Sequence, residues 1–219
     1  MKVSRTLHRA YTCARLVFGC DFITISDTMW SRRLQTSGLD MSSETLAQLG
    51  THASRSTRHD ASPMLPLLRI ARKLGVASKD GVIDLGCGKG AALFAFKRAG
   101  AGRVAGLDIS GGLIECARRN LEAGRVDGIS LICQDAGTFI HYDNYNYMYL
   151  FNPFPACVLN EVMNNLKISL RRTPRRMRIL YANPFHQEVI TKSGLFREEL
   201  RYDYCQGLIV SSNCTAGRD

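Results

Sequence analysis

Short apolar runs alternate with amphipathic, helix-like patterns from residue 62 to residue 212. The apolar runs are rich in Val, Ile and Leu, which is typical of parallel strands buried on both faces. The predicted helices cover 62–74, 91–99, 113–123, 158–170 and 186–192, and the predicted strands include 82–85, 103–108, 177–181 and a terminal hairpin of 196–204 and 208–212. This alternation predicts an α/β fold built on a doubly wound, mostly parallel sheet.

The length and composition suit one compact domain with an N-terminal extension. The chain has 219 residues, of which 45% are hydrophobic. We predict a helical and loop extension over 1–61 and the main domain over 62–219. Residues 51–60 are polar and lack periodicity, which indicates a loop or a lid. No run approaches the roughly 18 to 20 apolar residues that cross a bilayer, so no membrane partner is expected.

A glycine-rich turn follows the strand at 82–85 and is the first candidate site. The glycines Gly86, Gly88 and Gly90 allow a tight turn and a close approach to a ligand. The same spacing fits the fingerprint of dinucleotide-binding enzymes, so it does not identify the ligand. Asp84 separates the two interpretations, because a carboxylate repels a pyrophosphate but suits the α-amino group of S-adenosylmethionine.

A second acidic residue ends the next predicted strand. Asp108 lies 18 residues after Gly90, and Ile109 follows it. The carboxyl ends of parallel strands meet at one edge of a sheet. Asp108 is therefore placed to accept hydrogen bonds from both hydroxyls of a ribose.

Together these segments resemble the class I S-adenosylmethionine-dependent methyltransferases. The matching segments are 84–90, 104–108, 131–136 and 149–154, in the order in which the family has them. The resemblance implies a Rossmann-like three-layer sandwich with a seven-stranded, mostly parallel sheet of order 3-2-1-4-5-7-6 and an antiparallel strand 7. It also implies S-adenosyl-L-methionine as the cofactor. The residues expected to contact that cofactor are Asp84, Gly86, Cys87, Gly88, Gly90, Asp108, Ile109, Asp135, Ala136 and Asn152.

Segments outside these motifs resemble a bacterial methyltransferase subgroup of undefined substrate. They are 27–38, 61–63 and 175–184. The subgroup informs the architecture and leaves the substrate open.

The candidate acceptor site is Asn152-Pro153-Phe154, at the end of the fourth predicted strand, in the matching segment 149–154. It resembles the Asn-Pro-Pro-aromatic motif of amino-group methyltransferases but lacks the second proline. We assign the catalytic role to these three residues. The side-chain carbonyl of Asn152 would hold an acceptor N–H, so we predict methyl transfer to nitrogen. The alternative for Asn152 is a strand-end turn, which Asn-Pro commonly forms.

Other aromatic and basic side chains have plainer explanations. Four tyrosines recur at or near every second residue and predict one packed face of strand four, with an aromatic wall for a flat substrate as the alternative. They are Tyr142, Tyr145, Tyr147 and Tyr149. His141 and His186 could each serve as a general base, although loop histidines are more often structural or solvated.

The eight cysteines show no C-x-x-C pair and no Cys/His spacing typical of zinc. We therefore predict no metal site and a reducing, cytoplasmic location. Cys87 lies in the glycine turn, and loop geometry explains it better than nucleophilic catalysis, because no histidine is near it in sequence.

The net charge is +10, and its densest block is Arg171–Arg178. Such a block can grip the phosphates of nucleic acid, but no aromatic residues interleave with it, and a solvated loop is favoured. Residues 1–20 are also basic and contain no acidic residue. We favour an amphipathic helix there over a transit peptide.

Three functions remain open on the sequence. The first is a methyltransferase acting on an unknown acceptor, which is a small molecule, a protein or RNA. The second is a nicotinamide-dependent oxidoreductase, which would need phosphate contacts at the glycine turn. The third is a protein that binds the cofactor without turnover.

Overall fold

The structure is a computed structural model, and it describes residues 39–43, 55–56, 61–203 and 207–213. Residues 1–20, the segment 27–38 and most of 51–60 lie outside the described residues, so the predictions made for them stay predictions. Among the described residues, no helix is long and apolar enough to span a membrane.

Seven strands and five α-helices alternate through the described part of the domain. The strands are β1 (Gly81–Leu85), β2 (Arg103–Asp108), β3 (Ile129–Cys133), β4 (Tyr147–Phe151), β5 (Arg178–Ala182), β6 (Phe196–Tyr202) and β7 (Leu208–Asn213). The helices are α1 (Met64–Lys73), α2 (Ala91–Ala99), α3 (Gly111–Ala123), α4 (Ala156–Arg172) and α5 (Gln187–Lys192), with a 3-10 turn at Ala136–Thr138. Every predicted helix and strand of the domain is present, with ends shifted by a few residues.

The strands form one sheet of order β3-β2-β1-β4-β5-β7-β6. The first five strands are parallel, whereas β7 is antiparallel to both β5 and β6. Both the expected order and the antiparallel last strand are confirmed. The chain goes from β1 to β2 on one side and reaches β4 on the other, so β1 and β4 flank the switch point at which ligands bind in such sheets.

Alternate side chains of the strands enter two apolar clusters, one on each face of the sheet. Val82 of β1 packs with α1, α2 and α3 in the first cluster, whereas Ile83 packs with α4 and α5 in the second. This alternation follows from the period of two along a strand. The three-layer sandwich is therefore confirmed.

The four tyrosines are buried, as predicted for packing, but they do not share one face of β4. Tyr147 and Tyr149 lie in β4 and belong to the first cluster, whereas Tyr142 and Tyr145 precede the strand and belong to the second. The prediction of a single strand face was wrong because the strand begins only at Tyr147.

The basic block Arg171–Arg178 is partly structural. Arg175 donates to the carbonyl oxygens of Tyr142 and Tyr145 at 2.8 and 2.7 Å. Arg178 pairs with Glu199 at 2.8 Å. These two guanidinium groups are already bound to oxygen atoms of the protein. The block is therefore less suited to binding phosphates than its composition indicated.

Candidate functional site

In the glycine turn between β1 and α2, the backbone N–H groups of the three glycines and Cys87 donate to oxygen atoms of the protein itself. The N–H groups of Gly86 and Cys87 both donate to the carbonyl oxygen of Leu107, at 2.7 and 2.9 Å, and the N–H of Gly90 donates to Cys87 at 2.9 Å. The N–H of Gly88 donates to Asp108 Oδ2 at 2.9 Å. A phosphate-binding turn needs N–H groups free to point at the anion. Four of these groups are already engaged here.

Gly86 is required by packing as well as by its backbone angle. Its φ is +79°, and a Cβ built on it would lie 2.2 Å from the Cβ of Pro153. Pro153 therefore lies directly on the glycine turn, and this contact joins the predicted cofactor motif to the predicted acceptor motif. Sequence reasoning found both motifs but missed their contact.

Asp108 ends β2 and is almost fully buried beside the turn. Its Oδ2 accepts from Gly88 and its Oδ1 accepts from the N–H of Ser110, each at 2.9 Å. Burial raises the pKa of Asp108, although the backbone donors partly oppose that shift. Each carboxylate oxygen has more than one lone pair, so further donors can still be accommodated. Ile109 follows it and is half-buried.

Asp84 is the penultimate residue of β1 and is 2% exposed. Burial raises its pKa well above the usual carboxyl range, and the negative charge of Asp108 adds to the effect. Two neighbouring carboxyl groups in an apolar environment make this edge of the sheet a favourable place for a cation.

Cys87 is buried in the turn, where burial first, and then the charges of Asp108 and Asp84, raise the pKa of its thiol. A raised pKa disfavours the thiolate, so the geometry agrees with a structural role. Among the residues that the structure describes, no cluster of His, Cys, Asp and Glu could hold a metal ion.

Lys89, inside the glycine turn, was missed by the sequence analysis. Its side chain is almost completely buried, and Nζ donates to Asp40 Oδ2 at 2.8 Å and to Ser42 Oγ at 2.7 Å. Burial opposes ionisation of Asp40, but the hydrogen bonds from Lys89 and Ser42 outweigh it and lower the pKa of that carboxyl. The turn is thus bound to a segment of the N-terminal extension.

Asn120 of α3 completes the attachment of this segment. Its Nδ2 donates to the carbonyl oxygens of Lys89 and Asp40, at 2.9 and 2.8 Å, and its Oδ1 accepts from the N–H of Asp40 at 2.8 Å. Leu39 and Met41 enter the first apolar cluster. Residues 39–43 are therefore packed against the domain by both polar and apolar contacts.

Asp135, the predicted adenine-side acid, is engaged by a second residue of the N-terminal extension. Arg55 donates to both of its carboxylate oxygens, each at 2.7 Å, and also to Glu161. The hydrogen bonds from Arg55 lower the pKa of Asp135 and outweigh the effect of burial. Ala136 is buried and opens the 3-10 turn. Nothing local in the sequence signalled Arg55, since it lies 80 residues from Asp135.

Asn152, Pro153 and Phe154 follow β4 at the same edge. Asn152 adopts the left-handed φ of 43°, and its Oδ1 accepts from the hydroxyl of Tyr181 at 3.4 Å. Burial raises the pKa of Tyr181 to about 12, so this hydroxyl is a neutral donor at pH 7. Phe154 is 5% exposed, and its ring packs in the second apolar cluster, which anchors the turn to the core.

The two candidate bases lie in different places. His141 is exposed and packs edge to face on Phe139, in the loop before β4. His186 caps α5, and its backbone N–H donates to the Tyr181 hydroxyl at 3.3 Å. Of the two, His186 is linked to Asn152 through Tyr181, and the link uses its backbone N–H and not its imidazole.

The sheet and its edge define a Rossmann-like domain with buried acids at the ends of β1 and β2. Comparisons with known proteins extend this description. Residues 82–172 match the family model of a methyltransferase domain. Over these residues the chain is similar to a methyltransferase domain, and the sheet that contains them has the Rossmann-like order described above.

Individual relatives match over shorter or more distant stretches. Ribosomal protein L11 methyltransferase of Burkholderia mallei (strain NCTC 10229) is 48% identical over 46 residues, which are 21% of this chain and 15% of that relative. The match therefore spans only a small part of the length of the curated relatives.

Solved structures agree in fold. Magnesium protoporphyrin IX methyltransferase from Synechocystis PCC 6803, with bound S-adenosylmethionine, has a TM-score of 0.52 at 17% identity, over 68% of this chain and 76% of that one. An RNA methyltransferase from Salinibacter ruber, in complex with S-adenosyl-L-homocysteine, has a TM-score of 0.51 at 17% identity, over 71% and 94%.

Proposed function

We propose that this protein transfers a methyl group from S-adenosylmethionine to a nitrogen atom of its acceptor. The observation that carries the proposal is the pair of buried carboxyl groups beside a turn whose donors are already used. A site of this kind favours a cationic ligand and disfavours a pyrophosphate. It therefore supports the methyltransferase over a nicotinamide oxidoreductase.

Each part of the cofactor has a candidate partner at the sheet edge. Asp84 would accept from the ammonium group, and Asp108 would accept from the ribose hydroxyls while retaining its two backbone donors. Gly86, Cys87, Gly88 and Gly90 would form the wall between them. Asp135, Ala136 and Ile109 would border the adenine, with Arg55 fixing the Asp135 carboxylate.

The cofactor supplies a methyl carbon on a positively charged sulfur, which is a good leaving group. The acceptor's lone pair forms the new N–C bond while the C–S bond breaks and its electron pair stays on sulfur; the surplus proton then leaves the nitrogen for water. The protein's task is to align the lone pair with the methyl group. Asn152 would hold an acceptor N–H through its side-chain oxygen, and the Tyr181 donor would keep that oxygen in place.

The acceptor's wider identity stays open, because the relatives' names include a ribosomal protein, a metalloporphyrin and RNA. Nucleic acid is not favoured through the basic block, since Arg175 and Arg178 hold oxygens of the protein itself. A cofactor-binding protein without turnover remains the second candidate, and only turnover separates it from an enzyme.

The test compares Asn152→Ala with Asn160→Ala, an exposed asparagine on α4. An acceptor found by labelling cell extract with methyl-labelled cofactor serves as the substrate. Loss of a group that acts only in the transition state should lower the single-turnover rate of Asn152→Ala about a hundredfold or more, with cofactor affinity within a few-fold. Asn160→Ala should behave as wild type.

A turn-forming role for Asn152 predicts a different result. Melting temperature, cofactor affinity and turnover would then fall together, and near-normal turnover would eliminate the catalytic role. Calorimetry with S-adenosylhomocysteine and with NAD tests the cofactor separately. Tighter binding of NAD would contradict the methyltransferase proposal.

A further inference from the structure

The structure contains a second Asn-Pro-Phe turn beside the one in the candidate site. Asn152-Pro153-Phe154 follows β4, and Asn183-Pro184-Phe185 follows β5. The two strands are parallel neighbours, with Phe151 in register with Ala182. The turns therefore leave the sheet side by side at the edge where the acceptor is proposed to bind.

The two asparagines share an uncommon backbone conformation. Asn152 has φ 43° and Asn183 has φ 47°, both in the left-handed region. The N–H of Asn183 donates to the carbonyl oxygen of Gly207 at 2.8 Å, which anchors the second turn to the chain entering β7. The second turn is thus a defined feature of the fold and has a fixed position.

The two phenylalanines differ sharply in exposure. Phe154 is 5% exposed, whereas Phe185 is 76% exposed. Phe185 packs edge to face on the ring of His186, with centroids 5.5 Å apart, and this contact leaves most of its surface in water. A single exposed aromatic ring does not by itself indicate a binding site. Phe185 differs from such a ring because its turn is connected to the proposed acceptor motif.

That link runs through Tyr181, the residue between the two turns. Its hydroxyl donates to Asn152 Oδ1 at 3.4 Å and accepts from the backbone N–H of His186 at 3.3 Å. His186 directly follows Phe185, so two long hydrogen bonds join the backbone next to the exposed ring to the Asn152 side chain. The turn beside Asn152 therefore presents Phe185 as an exposed, large apolar side chain.

We propose that Phe185 is a specificity-determining residue of the acceptor site and that it stacks on a planar, nitrogen-containing ring of the acceptor. Aromatic faces attract flat rings of this kind, whereas saturated groups gain less from them. The inference rests on the proposed methyl transfer, and it adds the shape of the acceptor to it. The ring can come from a free small molecule or from a base in RNA.

The test measures binding to the full chain saturated with S-adenosylhomocysteine, by ligand-observed NMR titration. The probes are 2-aminopyridine and adenosine as planar rings, cyclohexylamine as the saturated comparison, and a short single-stranded oligoribonucleotide. We expect the planar rings to bind about tenfold or more tightly than cyclohexylamine. Preference for adenosine or for the oligonucleotide indicates the source of the ring.

Three variants complete the design. Phe185→Leu should remove the planar-ring preference, Phe185→Trp should retain it, and neither should change affinity for S-adenosylhomocysteine. Ile168→Ala, an exposed apolar residue of α4, should leave all of these values unchanged.

The inference is overturned if the wild-type protein binds S-adenosylhomocysteine but shows no preference for planar rings, or if Phe185→Leu keeps that preference. Failure of the wild-type protein to bind S-adenosylhomocysteine at all would instead refute the proposed function and this inference with it.

Discussion

Asp84→Asn should change cofactor affinity and protein stability in opposite directions. The carboxyl group lies at the end of β1, is 2% exposed, and has its pKa raised by burial and by Asp108. Asn keeps the size of the side chain and removes the charge. A residue that serves only the fold would not show opposite signs, because its loss would lower stability.

The affinity should fall because the proposed cofactor brings an ammonium group to this carboxylate. A hydrogen bond to a charged group contributes about 1.5 to 3 kcal/mol, which corresponds to a loss of roughly 10- to 150-fold in affinity. The ligand-free protein should gain about 1 kcal/mol in the free energy of unfolding at neutral pH, since the variant removes a carboxyl group whose burial costs free energy there whether it is ionised or protonated. For a chain of this size that gain raises the melting temperature by about 2 to 4 °C.

The pH dependence provides an independent readout. Because the pKa of Asp84 is raised in the folded state, this group's contribution to stability is fully present below the ordinary carboxyl pKa of about 3.9 and is lost as pH rises through the raised pKa. The variant should lack this loss. Cofactor binding to the wild type should weaken on acidification, as protonation neutralises Asp84.

Calorimetry with S-adenosylmethionine and thermal unfolding, each at several pH values, measure these quantities. A variant that melts at a lower temperature than the wild type and binds the cofactor normally would refute the reasoning. Asp84 would then be a structural residue.

Three further predictions concern the residues around the glycine turn. Gly86→Ala should destabilise the fold by about 3 kcal/mol in a denaturant titration, because its Cβ would meet Pro153 at 2.2 Å and its φ is +79°; an unchanged midpoint would contradict the packing. Asp40→Ala should lower the free energy of unfolding by about 2 kcal/mol, because it leaves the buried Lys89 ammonium without its carboxylate partner. Lys89→Met should lower it by at most about 1 kcal/mol, because the Asp40 side chain is 53% exposed and can be solvated. A larger loss for Lys89→Met than for Asp40→Ala would contradict this reasoning. Asp108→Ala should weaken cofactor binding at least tenfold by calorimetry, and it should also lower the melting temperature, since two backbone donors lose their acceptor.

The sequence predicted what depends on local pattern. The strands, the glycine turn and the acidic residues at 84 and 108 follow from apolar runs, turn residues and motif order, and the turn and both acidic residues lie at the expected edge. The order of the sheet was expected from the resemblance to the methyltransferases. The start of β4 was harder to predict, because the tyrosines before Tyr147 continue the alternating strand pattern although the chain there is a loop.

Contacts between segments that are distant in the sequence could not be predicted from local patterns. Lys89 meets Asp40 across 49 residues and Arg55 meets Asp135 across 80. No periodicity or motif connects such pairs, because only the folded backbone brings them together. The reason for a glycine at 86 was similarly hidden, since it depends on a side chain from the turn that follows the neighbouring strand β4, Pro153.

The charges near the site divide into two groups with different consequences. Asp40 and Asp135 are engaged by Lys89 and Arg55, and their pKa values are lowered. Asp84 and Asp108 have raised pKa values, because burial exceeds the compensation that the protein gives them.

The first pair therefore fixes N-terminal residues to the domain, and its charge is already neutralised by the protein. The second pair lies at the switch point of the sheet, where burial disfavours the ionised carboxyl groups and a bound cation would favour them. In a chain of net charge +10, a cationic ligand would meet repulsion over much of the surface. In the proposed function, the buried acids Asp84 and Asp108 at one edge of the sheet would reverse that repulsion locally and would favour a positively charged cofactor.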